Sequence, residues 1–262
     1  MTNYKKKLTY FTICSSLAID QNSKGAVATI SPENWLFSHN HLTEMVMLEG
    51  MNQFASRLVE ELYPPDNLSF YLPGMIEHFQ TTLNKTSAKM IIFGNCELIN
   101  NNFRVTSSVT TESGEIIATS INIVTKSLYS GIQKVLRGAD NPNVPVWEID
   151  CGSQNASIVH PVQVRFYKDH PVFDEHFLNL PVVPGAIQTE IVLKRLLSFF
   201  PNTHTVVFEK VKFIHAMRPD MSYLLCLLSL PKTSTMSFSF SFMRDETRVT
   251  TGKIRLDQAG ST

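Results

Sequence analysis

A stretch in the second half of the chain combines the residue types that acid–base chemistry needs. His176 follows Asp174–Glu175, and Pro184–Gly185 open a helical pattern that carries Glu190, fourteen residues after His176. A histidine titrates near neutral pH, and a carboxyl group in an apolar setting can have its pKa raised enough to donate a proton. We therefore take His176 and Glu190 as candidate catalytic residues. The structural alternatives are a loop histidine and a surface acid paired with Lys194.

The first half carries another candidate acid. Glu49 and Gln53 are separated by one helical turn, so both side chains face the same way. The surrounding stretch is strongly apolar, and an unpaired carboxylate buried there would be costly. We therefore expect Glu49 to be functional. His39 and His41 with Glu44 resemble a metal site, but a third well-placed ligand is missing and no metal is expected.

These candidates stand on elements that occur in the same order in both halves. Apolar residues at steps of three and four predict a buried helix over about Thr43–Leu62, followed by strand-like runs. In the second half a helix is predicted from Pro184–Gly185 to about Phe200, again followed by strands. Strict alternation with serine places Phe238, Phe240 and Phe242 on one sheet face.

The order of elements predicts an α+β fold of two similar units. We expect unit 1 over residues 1–137, a linker rich in Gly, Asn, Pro and Ser over 138–157, and unit 2 over 158–262. Each unit is expected to wrap an antiparallel sheet around a long central helix. The two sheets can join edge to edge, which removes exposed edge strands.

The second half resembles the hot-dog dehydratases that act on 3-hydroxyacyl-carrier-protein substrates. The resemblance rests on the loop histidine His176, the segment Pro181–Gly185 and the helix acid Glu190, at the family's spacing. Leu178–Asn179 depart from the Pro-Gly of the family's loop. The resemblance implies a tandem hot-dog fold. It also implies that Phe177, Val183 and Pro184 help to bind substrate, and that the Gly185 N–H binds the thioester oxygen.

The first half resembles, over about residues 25–60, the helix of A-factor-synthase-like hot-dog proteins, through Glu49 and Gln53. In hot-dog dimers the loop histidine of one unit meets the helix acid of the other. Carried onto a fused pair, this implies that His176 faces Glu49 and Gln53. Glu190 would then face the region of Trp35, His39 and His41.

These resemblances imply an acyl-thioester enzyme, a 3-hydroxyacyl dehydratase of fatty-acid or polyketide-type biosynthesis. The alternatives are A-factor-synthase-like acyl transfer or condensation, thioester hydrolysis, and a non-catalytic acyl- or carrier-binding subunit. The dehydratase needs no metal or redox cofactor. Its partners would be an acyl carrier protein or a CoA thioester, with Lys194–Arg195 as a docking cluster, and a homodimer is compatible with the family.

Composition narrows the remaining classes of function. The 23 basic and 23 acidic residues balance, which argues against a nucleic-acid binder. Four widely spaced cysteines favour a reducing compartment, and no apolar run approaches the roughly 20 residues of a membrane span. Lys5–Lys7 followed by an apolar run has the outline of a signal peptide, but Leu8–Cys14 is typical of a strand. We expect a cytoplasmic protein.

Overall fold

The computed structural model describes residues 13–30, 42–66, 69–85, 89–128, 145–150, 157–170, 172–175, 181–230 and 236–258. Helix α1 spans Thr43–Leu62, as predicted from its apolar periodicity. Tyr63 and the following Pro64–Pro65 end it, because proline supplies no N–H to a further helical turn.

Two shorter helices follow in the second half. Helix α2 is a single turn, Val172–Glu175, and helix α3 spans Gly185–Leu197. Helix α3 ends before the predicted Phe200. The N–H groups of Phe199 and Phe200 both bond to the Leu196 carbonyl, which forms a turn that closes the helix.

The strands form one antiparallel sheet of twelve among the described residues. Its spatial order is β1-β2-β4-β5-β6-β3-β9-β12-β11-β10-β8-β7. In chain order the strands are β1 Cys14–Asp20, β2 Gly25–Ile30, β3 Ser69–Thr82, β4 Met90–Ile99, β5 Asn102–Thr111, β6 Ile116–Leu128, β7 Trp147–Asp150, β8 Val162–Phe166, β9 Thr203–Phe213, β10 Tyr223–Ser229, β11 Met236–Arg244 and β12 Thr247–Gln258.

This single sheet corrects the predicted fold class. The tandem of two hot-dog units, each wrapping its own sheet around a long central helix, is wrong. Strand β3 of the first half pairs directly with β9 of the second, from Met75 opposite Lys212 to Thr82 opposite Thr205. Each strand satisfies the backbone groups that the other would leave unpaired at a sheet edge. The main helix of the second half, α3, is also short, at 13 residues.

The core lies between the helices and one face of the sheet. Helix α1 packs against β1 to β6 and contacts α3. Strand β11 buries Phe238, Phe240 and Phe242, each at most 4% exposed, which confirms their predicted common face. The apolar faces of α1 are thereby covered by strands on several sides.

The predicted unit boundaries stay a prediction. Most of the predicted linker, 138–157, lies outside the described residues, and Trp147–Asp150 within it forms β7 at one end of the sheet. Most of the predicted first strand also lies outside them, and β1 begins at Cys14. In the described part of the chain, no helix is long and apolar enough to span a membrane.

Candidate active site

Helix α1 buries an acid whose pKa is strongly raised. Glu49 is 5% exposed, and burial raises its pKa to about 8. Hydrogen bonds from Gln53, whose Nε2 lies 3.1 Å from Glu49 Oε1, and from Asn52 favour the charged form and lower the pKa. Burial outweighs them. At pH 7 the Glu49 carboxyl is therefore mostly protonated and can donate a proton.

Gln53 connects this acid to the start of β1. Its Oε1 accepts hydrogen bonds from the N–H groups of Ile13, at 2.9 Å, and Cys14, at 3.2 Å. One turn further along α1, Arg57 Nη1 donates to the Cys14 carbonyl at 2.7 Å. Glu49, Gln53 and Arg57 thus form a polar ridge along one side of α1, with a spacing of four residues.

Gly50 lets the ridge approach β1 closely. A methyl group in its place would lie 3.1 Å from Ile13 Cγ2 and 3.3 Å from Ile30 Cδ1. The small residue therefore fits the gap between helix and strands, which places Gln53 within hydrogen-bond distance of the β1 backbone.

The second-half acid has a different environment. Glu190 is 1% exposed, and its Oε1 accepts a 2.8 Å hydrogen bond from the N–H of Leu42. Lys194 Nζ lies 3.1 Å from the same oxygen. Leu42 is the N-cap of α1 and has no side-chain capping bond of its own. The Glu190 carboxylate therefore caps α1 and pairs with Lys194. The alternative of a solvent-exposed acid is wrong, although its pairing with Lys194 is observed.

The first turns of α1 and α3 meet beside this cap. Thr189, fully buried, lies 3.3 Å from the sulfur of Met45 through its Oγ1. The same hydroxyl donates to the Ala186 carbonyl at 2.9 Å. The helices of the two halves are thus in direct contact at the ends where the candidate acids of both lie.

The predicted docking pair Lys194–Arg195 does not form an exposed cluster. Lys194 Nζ lies 5.3 Å from the centre of the Trp147 ring. Arg195 is 8% exposed, lies over the Phe199 ring at 4.7 Å and donates to the Ser157 carbonyl at 3.4 Å. Both cations are engaged in packing.

The turn that opens α3 is held by two polar residues that the sequence analysis missed. Gln188 Nε2 donates to the Val183 carbonyl at 3.0 Å, and Thr250 Oγ1 donates to Gln188 Oε1 at 2.6 Å. The Val183 N–H bonds to the Met217 carbonyl at 2.8 Å. The presence of Gln188 on an apolar helix could have indicated a buried polar contact. Its partner on β12, Thr250, is 62 residues away and could not be inferred from the local pattern.

Gly185 begins α3 with its backbone close to an aromatic ring. A methyl group at this position would lie 2.5 Å from Phe213 Cζ, so a larger residue here would require the Phe213 ring to move. As the first helical residue it has an N–H without an intrahelical acceptor. This donor is suited to an anionic oxygen, and Pro184 and Val183 beside it are buried.

Several predicted site residues lie outside the described residues, namely His176, Phe177, Trp35, His39 and His41. The pairing of His176 with Glu49, and of Glu190 with a first-half histidine, therefore stays a prediction. Helix α2 ends directly before His176. His170, 3% exposed, starts that helix, since its Nδ1 accepts a 3.2 Å hydrogen bond from the Val172 N–H.

Glu44 of the suspected metal cluster has another role. Its Oε1 accepts a 2.7 Å hydrogen bond from the Asn84 N–H, which ties the first turn of α1 to the turn after β3. Within the described ranges no group of three or more His, Cys, Asp and Glu side chains could hold a metal ion.

Comparison with known proteins identifies the fold. Residues 153–253 match the ApeI-like family, described as ApeI dehydratase. An acyl-ACP thioesterase from Bacteroides thetaiotaomicron aligns with 91% of this chain and 100% of its own, at 12% identity and a TM-score of 0.57. This chain is a hot-dog-fold protein. The predicted hot-dog fold is confirmed, and the match of residues 153–253 agrees with the predicted resemblance of the second half to hot-dog dehydratases.

Other hot-dog structures align along most of the chain. A putative oleoyl thioesterase from Lactobacillus plantarum covers 82% of this chain and 88% of its own, with 11% identity and a TM-score of 0.53. The tesB protein of Mycobacterium avium subs paratuberculosis covers 92% and 96%, with 12% identity and the same TM-score. No curated protein matches the sequence. At these identities the structural likeness establishes the fold and leaves the reaction open.

Proposed function

We propose that this hot-dog protein is an acyl-thioester enzyme that dehydrates a 3-hydroxyacyl group. The observation that carries the proposal is the buried Glu49 carboxyl, whose pKa of about 8 leaves it protonated at neutral pH. Elimination of water needs such an acid, because hydroxide is a poor leaving group until it is protonated. The match of residues 153–253 to the ApeI dehydratase family supports the same reaction.

The reaction divides between two side chains. His176, as the base, removes a proton from C2 of the acyl chain, which the neighbouring thioester makes acidic. The electron pair forms the C2–C3 double bond while the C3–O bond breaks. Glu49 gives its proton to the departing hydroxyl, and water leaves. The histidine is then protonated and Glu49 ionised, so one proton must pass back before the next turnover.

Gly185 stabilises the charge that develops during proton removal. Its N–H stands at the start of α3, where the helix dipole favours negative charge, and would donate to the thioester oxygen. The buried Val183 and Pro184 would contribute to the apolar surroundings of the acyl group, a role that the family resemblance also implies for Phe177. Glu190, held by Leu42 and Lys194, acts in this scheme as a structural carboxylate.

Thioester hydrolysis is the second candidate. It is favoured by the fold likeness to the Bacteroides thetaiotaomicron acyl-ACP thioesterase over nearly the whole chain. Hydrolysis would use Glu49 as the base that activates water, so its rate would rise with pH through about 8. Dehydration uses the protonated form and loses rate over the same interval. The pH profile therefore separates the two reactions.

The purified full chain is to be incubated with 3-hydroxyacyl thioesters of CoA and of acyl carrier protein. Enoyl absorbance and free thiol are followed together. A rise in enoyl absorbance without thiol release supports dehydration, and thiol release together with formation of the free carboxylic acid supports hydrolysis. Silence in both assays, with binding of acylated carrier protein, supports the non-catalytic subunit. A new acyl ester or condensed product supports A-factor-synthase-like transfer.

The shared site is tested by exchanging each helix acid for its amide. Glu49→Gln is expected to reduce turnover by about two to four orders of magnitude, the range that acid–base residues contribute. Glu190→Gln is expected to retain measurable turnover. The reverse pattern would mean that His176 pairs with Glu190 and that the assignment across the halves is wrong.

A further inference from the structure

The hydrogen bonds of Gln53 define which way its amide points. Its Oε1 accepts from two backbone N–H groups, those of Ile13 and Cys14. Backbone N–H groups only donate, so the Gln53 atom facing them must be the oxygen. The amide nitrogen consequently faces Glu49, where Nε2 lies 3.1 Å from Oε1. The β1 backbone thus fixes the orientation of a side chain on α1.

This orientation limits where the Glu49 proton can reside. Gln53 Nε2 donates to Glu49 Oε1. In a neutral carboxyl the carbonyl oxygen is a stronger acceptor than the hydroxyl oxygen, so this bond favours Oε1 as the carbonyl and Oε2 as the hydroxyl. We propose that Gln53 is a positioning residue that confines the proton of neutral Glu49 to Oε2. The inference rests on the proposed function, in which that proton is the one given to the leaving hydroxyl.

Asn52 completes the arrangement on the same helix. Its side chain is 7% exposed and lies close enough to Glu49 to lower the pKa of that carboxyl, while its Oδ1 has no hydrogen-bond partner among the described residues. Because no hydrogen bond in the described part of the chain fixes its oxygen, the Asn52 amide can rotate by 180°. Asn52 can donate its N–H to ionised Glu49 or, turned by 180°, accept the Oε2 proton. Gln53 is held in one orientation by β1, whereas Asn52 fits both protonation states.

Among the described residues, the ionisable groups beside the ridge leave this assignment unchanged. On α1, Arg57 donates to the Cys14 carbonyl, and on β1 burial raises the pKa of the Cys14 thiol, which stays neutral. The causes of the raised Glu49 pKa are burial, opposed by Gln53 and Asn52. The proton position therefore follows from amide geometry.

Two substitutions separate the anchoring of β1 from the donation to Glu49. Gln53→Glu retains an oxygen for the Ile13 and Cys14 N–H groups and loses the amide donor. Gln53→Leu loses both. Gln80→Glu, on an exposed position of β3, is the matched control for an added charge in the first half. Thermal unfolding and circular dichroism establish that each variant is folded.

The readout is spectroscopic and independent of turnover. Infrared difference spectra between acidic and basic pH report the C=O stretch of protonated Glu49, and Glu49→Gln identifies the band by its disappearance. In the wild type the carbonyl is Oε1, which accepts from Gln53. Both Gln53 variants are expected to shift the band to higher wavenumber and to raise the pKa of Glu49 above about 8. Gln80→Glu should leave the band and its titration unchanged.

An unshifted band and an unchanged titration in folded Gln53→Glu would overturn the proposal. If Gln53→Leu fails to fold, Gln53→Glu alone decides. If the spectra behave as expected but no thioester is converted, the proton position stands and the proposed reaction fails. If turnover is present and the band does not move, the reaction stands and the role of Gln53 fails.

Discussion

The carboxylate of Glu190 accepts a 2.8 Å hydrogen bond from the N–H of Leu42, which occupies the N-cap position of α1. A side chain of the second half thereby caps the helix of the first. The same oxygen pairs with Lys194, which lies over Trp147 of β7. Helix α1, helix α3 and the last strand of the sheet are thus connected through one carboxylate.

We expect Glu190→Ala to destabilise the protein by about 1–3 kcal/mol, since it removes a helix cap and leaves the partly buried Leu42 N–H without its acceptor. Glu190→Gln retains an acceptor for Leu42 and should cost less. Urea unfolding of the three proteins measures the difference. Equal stability of Glu190→Ala and the wild type would contradict the capping role.

Glu49 should make stability depend on pH. Its folded pKa of about 8 lies above its ordinary value of 4.5, so between these values the folded state binds more protons than the unfolded state. The stabilising contribution is complete below pH 4.5 and is lost as pH rises through 8, with a slope of up to about 1.4 kcal/mol per pH unit.

The comparison is between wild type and Glu49→Gln, whose amide does not titrate. Relative to Glu49→Gln, the wild type should lose unfolding free energy as the pH rises from 5 to about 8. A constant difference over this range would show that Glu49 titrates normally.

Gly185→Ala is expected to cost about 1–3 kcal/mol, because the new methyl group would overlap the Phe213 ring. Phe213→Leu removes the ring atoms and should relieve part of that cost. A double-mutant cycle by thermal unfolding measures the coupling. Additive effects would show that the ring is not the obstacle.

The two histidines near α2 should respond differently to the same change. His170→Asn disturbs a buried ring whose Nδ1 accepts from Val172, and should lower stability by about 1–3 kcal/mol. His176→Asn should abolish turnover with a smaller loss of stability. Unfolding and thioester assays on both variants measure this, and full turnover in His176→Asn would remove it from the proposed mechanism.

Local sequence patterns correctly predicted the features that depend on residues close together in the chain. The periodicity of α1 predicted its range, and the alternation in β11 predicted the common face of Phe238, Phe240 and Phe242. The apolar surroundings of Glu49 indicated a buried acid, which the structure describes. In each case the signal lies within a single element.

Long-range pairing was beyond such patterns. The bond between Glu190 and Leu42 joins residues 148 positions apart, and that between Gln188 and Thr250 spans 62. The sequence pattern allowed the two sheets to join edge to edge, but which strands meet, β3 and β9, depends on register between distant strands. The backbone of a strand can pair with any other strand, so composition and alternation within one strand do not reveal its partner.

The seam between β3 and β9 has a consequence for how the chain acquires its structure. Neither strand can complete its hydrogen bonding until both halves have been synthesised and brought together. Non-local strand pairing of this kind raises contact order, and chains with high contact order fold slowly. Until the seam closes, two open edges in the middle of the future sheet are available to other chains, so productive folding competes with aggregation at that point.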